Sequence, residues 1–480
     1  MSIFRTTDPT QFDDVDGIIV NESAPAPNIK GVAANIAGLV GVFQRGPATL
    51  QEPASIGEFY EMYGKSAYLG NKQLASKKFG RLRIVRVIAS DAAKATKAFA
   101  SSSTDRITFT AKWKGVYGNN ITVKIENGTT SGKKYTVHDG NTDAVFPDEI
   151  YDNVAVASVV PATFVSSKLV DVTVNSSAAE PSNASATALA SGSDGTVADT
   201  DYQAAIAVFE VERSCNVLFL DSYNSTRNGY LKTHAAATQD KMVLCAGAET
   251  TNAADTITEA ASLRDVDGRL IYCYPWLETV IDGVLTYTSP AAWLASIFSQ
   301  TAPNIDPAYK QNARYTAGVT NLKFQLTRSN YVSLMAAGVC AFEYDSDFGY
   351  VPKSGVTTQI LDSSKVTISR RRMADYLTDS AASFLKNYQN APNTKDNRTA
   401  VKAAILAFVQ ANENDGVLPK DSEVKTGTAK LVDTESLNTD LSIGQGYFKI
   451  LWKQRIFSSM RFIVLQAEIG ETVVVTADAA

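Results

Sequence analysis

YFKILWKQRIFSSMRFIVLQAEIGETVVVT, residues 447–476, is the stretch around which the chain is organised. It reads as three β-segments, Tyr447–Lys453, Met460–Gln466 and Glu471–Thr476. The last follows Gly470 and sets Thr472, Val473, Val474 and Val475 in a β-branched run near the chain end. Such a strand presents an unpaired edge, and exposed edges recruit other strands. Near the other end, Gly17, Ile18, Ile19 and Val20 form a second short β-segment. The Pro-bearing spacer Asn21–Asn28 ties it to the rest, and proline stiffens such a spacer toward an extended form. Strand-forming arms on tethers at both ends predict a subunit that exchanges strands with its neighbours. The donated strands are expected at Gly17–Val20 and Glu471–Thr476. The receiving sheet is expected to carry Phe448, Ile450, Phe462 and Val464.

Working outward, 480 residues with 45% hydrophobic content allow several domains with buried cores. A net charge of −5 implies no nucleic-acid or membrane-surface partner. The start, Met1-Ser-Ile-Phe-Arg, lacks the basic and apolar regions of a signal peptide. Gly31–Phe43 is too short to span a bilayer, so no membrane insertion is expected. Cys215, Cys245, Cys273 and Cys340 have no metal-like spacing and read as buried free thiols. Together these features predict a soluble protein made in a reducing compartment.

The pattern along the chain predicts a multidomain α/β and α+β protein. Residues 1–28 are an arm. Residues 29–98 open a mixed α/β core, with a strand in Val32–Val42, a helix at Ile56–Tyr63 and a strand at Leu82–Val87. From 99 to 199 helical periodicity gives way to β-rich runs separated by turn signals such as Asn127-Gly128, a β-rich insertion. Its Ala/Ser/Gly-rich end, Asn175–Thr200, reads as an exit linker. Helix–strand alternation returns over 200–368, as in a parallel or mixed sheet covered by helices. Asn321–Ala337 is expected to be helical. Residues 369–480 form a compact α+β unit of two amphipathic helices, the second capped by Asp396, on a small sheet that ends in the terminal arm.

Catalytic constellations are sparse, and no enzyme, metal or cofactor is expected. His138 falls in the insertion and His234 on a helix surface, neither with a nucleophile or second ligand beside it. Gly57 to Ser66 imitates a phosphate loop, but its first glycine is misplaced and the segment is too bulky for an amide cradle. Glu343 to Gly349 imitates a calcium loop whose closing carboxylate is replaced by Val356. Lys77, Lys78, Arg81, Arg83 and Arg86 lack the interleaved aromatics of a single-strand nucleic-acid groove. Arg370-Arg371-Arg372 stands at a helix start, where cations oppose the macrodipole, so an acidic partner inside or outside the fold is expected.

Several stretches in order resemble the tail sheath proteins of contractile bacteriophages and related injection machines. They are Val32 to Pro47, with Gly38, Gly41 and Arg45-Gly46-Pro47; Leu82 to Val87; and Lys114-Gly115 to Gly118-Asn119. The series continues with Leu189-Ala-Ser-Gly192-Ser193-Asp194-Gly195 into Asp201-Tyr202, then the helix pair around Asn393 and Asn414-Asp415-Gly416. The resemblance implies a homopolymer, helical or of stacked rings, around an inner tail tube protein, with baseplate and tail terminator proteins as further partners. It also implies assembly in the host cytoplasm, a place in the virion tail, and contraction that drives the tube through the host envelope. The family's C-terminal domain faces the tube, which makes Arg370, Arg371, Arg372, Arg398 and Lys402 tube-facing candidates. The alternatives are the sheath of a bacteriocin-like or secretion device and a glycan-binding virion surface protein. In the latter, Trp113, Tyr117 and Tyr135 would stack on sugar.

Overall fold

The computed structural model describes residues 3–6, 18–21 and 29–463, except 66–67, 76, 157–162, 214, 426 and 462. Two compact units result: Met1–Ala33 with Met373–Phe457, and Ala34–Arg372 with Ser458–Ala480. The division falls inside one helix, Ile368–Leu385.

The larger unit is built on a seven-stranded sheet. Its order is Gly349–Pro352, Val339–Asp345, Leu270–Tyr274, Met242–Ala246, Val217–Leu220, Ile36–Gly41, Arg81–Arg86. All neighbours run parallel except the Val339–Asp345/Gly349–Pro352 hairpin. Strands buried on both faces are near-continuously apolar, and Ile36–Gly41, Val217–Leu220, Met242–Ala246 and Leu270–Tyr274 are buried throughout. Pro290–Gln300 is an apolar helix without charges, buried except at its last residue. The four cysteines are buried free thiols, and burial pushes Cys215 up to about 12. Asp221 closes the strand ends from within. Its carboxylate accepts Val42 N–H at 2.7 Å and the Tyr202 hydroxyl at 2.6 Å.

Several expectations need correction here. Val319–Leu322 is a strand and the helix begins only at Arg328, where Thr327 caps it. His234 is buried rather than on a helix surface, and desolvation pushes it down to about 4. Leu277–Ile281 and Val284–Thr288 form a hairpin that joins Val319–Leu322 in a three-stranded sheet.

The insertion has its own core, from Ala95 to Leu189, centred on Phe109, Tyr135 and Phe164. Two antiparallel sheets enclose it, of three and four strands. The small-residue stretch expected as a linker contributes a strand, Ala184–Ala188, paired with Ile121–Asn127. Small side chains gave it no hydrophobic period, but backbone pairing does not need one. Tyr117 and Tyr135 are buried in the core of the insertion and offer no sugar platform, while Trp113 is half-buried.

The insertion leaves and rejoins the core through a dense polar junction. Arg86 donates to the carbonyls of Phe43 (3.1 Å), Gly46 (3.2 Å), Gln44 (3.3 Å) and Lys114 (2.9 Å). Arg45, fully buried, stacks on Tyr117 at 4.4 Å and Phe146 at 4.8 Å and lies 3.8 Å from Asp139. Tyr117 donates its hydroxyl to the same Asp139 at 2.5 Å. Asn119 and Gly192 exchange hydrogen bonds of 2.8 and 2.9 Å. Gly115 is required twice over, by φ +128 and because a Cβ there would stand 2.6 Å from Asp194.

Candidate functional site

The smaller unit is built from long helices and a two-stranded ribbon. Its helices Ile368–Leu385 and Lys395–Asn414 bury the apolar stripes Met373, Leu377, Phe384 and Val401, Ile405, Phe408. The second helix is capped by Thr394, whose hydroxyl accepts Asn397 N–H at 3.2 Å; Asp396 lies in its first turn instead. Ile29 joins this core, and Val32 N–H donates to Ser380 Oγ at 3.1 Å. The root of the N-terminal arm is therefore fixed to the helices of this unit.

Against the helices lies a two-stranded antiparallel ribbon, Lys430–Asp433 with Leu451–Gln454. Val432 and Trp452 are cross-strand partners and face the helical core, while Leu431 and Lys453 face outward and are exposed. Each strand has one edge without a ladder partner among the described residues. The Trp452 indole N–H and Gln454 Oε1 are buried and lack partners there as well. A two-stranded ribbon is marginal alone, and a buried polar group left unpaired costs about 1–3 kcal/mol. Polar clamps hold the ribbon in place. Glu413 receives Lys430 at 2.5 Å, and Asn438 exchanges bonds of 2.6 and 2.8 Å with the Lys449 backbone.

The predicted site residues divide unevenly. Ile18, Ile19 and Val20 do form a strand, Ile18–Asn21, which pairs in parallel with Ile3–Thr6 of the same chain. Gly17, Phe462, Val464, Thr472, Val473, Val474 and Val475 lie outside the described residues. Phe448 and Ile450 precede the strand instead of lying in it, because the Asn438 clamp holds the chain before Leu451 off the ladder; both are half-buried against the helices.

Two tube-facing candidates are corrected. Arg372 is buried; its guanidinium donates to Thr301 O (2.8 Å), Phe298 O (3.0 Å) and Thr301 Oγ1 (3.1 Å) and stacks on Phe298. Arg398 is buried too, in a two-pronged pair with Glu435 at 3.1 and 3.2 Å. Both guanidiniums are thus engaged inside the fold, Arg372 by carbonyls and a hydroxyl and Arg398 by Glu435. Arg370 and Arg371 are half-buried, and Lys402, also half-buried, lies close enough to lower the Asp433 carboxyl, a smaller cause than its Ser436 and Glu435 hydrogen bonds.

Among the described residues past Phe457 the chain belongs to the larger unit. Ser459 donates to Asp306 Oδ2 at 2.7 Å and meets Ser369 Oγ at 3.1 Å. Burial raises the Asp306 carboxyl, opposed by Ser459, Ala308 N–H, Arg461 and Arg372. Gly355 is obligatory beside it, since a Cβ would come within 2.0 Å of Asp306. No sequence signal marked this node. Among the described residues no group of His, Cys, Asp or Glu could hold a metal ion, and no helix is long and apolar enough to cross a membrane.

This architecture is the fold of contractile tail sheath proteins, and solved structures share it over most of the chain. The sheath tail protein of Desulfitobacterium hafniense superposes with a TM-score of 0.62 at 18% identity, covering 87% of this chain and 94% of that one. The Listeria innocua sheath tail protein gives 0.63 at 14% identity, over 86% and 90%. The helical sheath of the anti-feeding prophage in its contracted state gives 0.60 at 14% identity, over 95% and 99%. No family profile and no curated protein sequence matches the chain.

Proposed function

We propose that this chain is the structural subunit of a contractile sheath, non-enzymatic, which polymerises around an inner tube and shortens to drive it through a host envelope. The single observation that carries the reading is the unfinished ribbon of the smaller unit. Its edges are unladdered and its buried Trp452 N–H and Gln454 Oε1 lack partners among the described residues. A strand supplied by another copy would complete it, each added main-chain bond contributing about 0.5–1.5 kcal/mol net. The full-length likeness to a helical sheath supports the same assembly. Baseplate and terminator proteins, the tail of a virion and assembly in the host cytoplasm belong to this reading.

Negative-stain microscopy with sedimentation tests it. The full chain should form tubes or rings. Chains lacking residues 1–20 or 464–480 should stay folded and fail to polymerise. Normal polymers from both truncations would refute strand exchange. Lys402→Glu with Arg370→Glu should leave stability within about 0.5 kcal/mol and weaken co-assembly with the tube; unchanged co-assembly would remove both from the tube-facing surface.

A further inference from the structure

Two surfaces of the larger unit complement each other. The first is the tip of the hairpin Leu277–Ile281/Val284–Thr288. A half-exposed sheet normally alternates apolar and polar side chains. Here the register pairs Val280 with Leu285 on one face and Ile281 with Val284 on the other, so the tip is apolar on both. At the base Leu277, Thr279 and Thr288 are buried, but at the tip Val284 and Leu285 are 63% and 61% exposed. Val284–Thr288 is also an outer strand of its sheet, without the lysine, proline or bulge that blunts natural edges. Asp282 is the tip's sole charge, exposed and without an ion pair among the described residues.

The second surface is a cleft of about 880 Å³ beside the outer strand Arg81–Arg86 of the core sheet. Ile56, Phe79 and Leu82 are among its apolar lining, and Lys77, Lys78 and Arg81 are its cations. Glu52 is the one acid in the lining, and it already binds Arg81 at 2.6 Å and Arg83 at 2.8 Å. Lys78 is exposed, with no ion-pair partner among the described residues. Lys77 holds its ammonium 4.3 Å over the Trp293 ring, and burial pulls its basicity down. The 630 Å³ cleft of the smaller unit offers no such match, because its lining cation, Arg398, is held by Glu435.

We propose that the hairpin tip of one copy seats in this cleft on the next, with Asp282 against Lys77 and Lys78. The inference rests on the sheath-subunit reading. Donor and acceptor surfaces differ, so the contact runs head to tail and propagates into rings or helices instead of closing as a dimer.

The test uses the full chain. Leu285→Cys and Lys78→Cys in one chain, oxidised with copper phenanthroline after assembly, should give a ladder of covalent multimers that neither single variant gives. The native cysteines are all buried and should not contribute. Val284→Ser with Leu285→Ser should leave the monomer's melting temperature near wild type and lower polymer yield at least tenfold. Asp282→Lys should do the same, and added Lys78→Glu should recover most of the yield. Polymers that form normally in all these variants, without the ladder, would overturn the docking and leave the sheath reading standing. A wild-type chain that forms no polymer at any concentration would sink the sheath reading and this contact with it.

Discussion

The junction between core and insertion and the ribbon of the smaller unit are both β-structure braced by polar side chains, yet they are braced differently. At the junction Arg86 reaches four carbonyls and Tyr117 reaches Asp139, while Gln44 Oε1 and Arg45 Nη1 find no hydrogen-bond partner among the described residues. In the ribbon Trp452 N–H and Gln454 Oε1 find no partner among the described residues. Burying an unpaired polar group is unfavourable in either place, and what sets the junction apart is the Arg86 guanidinium that gathers four carbonyls at one point.

The largest effect should come from Arg86→Met, which strands several buried carbonyls. A loss of about 3–5 kcal/mol is expected by denaturant unfolding. A loss below 1 kcal/mol would mean the junction is not closed as described. One substitution in each region sharpens the comparison. Tyr117→Phe removes a made hydrogen bond and should cost about 1–3 kcal/mol in the monomer. Trp452→Phe removes a donor without a partner together with part of a ring packed on the helical core; the two effects oppose each other, so monomer stability should change by under about 1 kcal/mol while the polymer weakens. Equal costs in the monomer would erase the distinction.

Acid should act differently in the two units. Burial raises Asp221 in the core to about 6, so the folded state holds its proton more tightly than the unfolded chain. Its contribution therefore improves as pH falls from about 6 to 4. Asp433 at the ribbon is lowered to about 2 by hydrogen bonds from Ser436 and Glu435, so its contribution is present above about 4 and lost as pH falls toward 2. Hydrogen exchange corrected for intrinsic rates should show the ribbon loosening before the core sheet between pH 4 and 2. The reverse order would contradict this assignment.

The sequence was most legible where hydrophobic period and burial coincide. The buried parallel strands, the apolar stripes of the two long helices and the β-rich insertion could all be read. It was least legible where backbone or buried charge decides. Ala184–Ala188 has no hydrophobic period and pairs through its main chain. Arg372 and Arg398 read as surface cations because nothing local foretells the carbonyls around one or Glu435 beside the other. Asp282-Gly283, between two β-branched runs, is a strong two-residue hairpin signal with φ of 50° and 79°, and could have been read. The stretches that carried the family resemblance, Gly115 to Asn119 and Leu189 to Gly195, fall at the junction, where close approach restricts which residues fit.

The two ends of the chain are rooted on different bodies. Ile29 and Val32 hold the front of the chain to the helices of the smaller unit, while Ser459 holds the rear to Asp306 in the larger. Tension on the tail would therefore load the central sheet before it reached the ribbon, and tension on the leading arm would load the helices. On the sheath-subunit reading proposed above, each molecule would have two separate lines of traction, so one could slacken while the other still bore load.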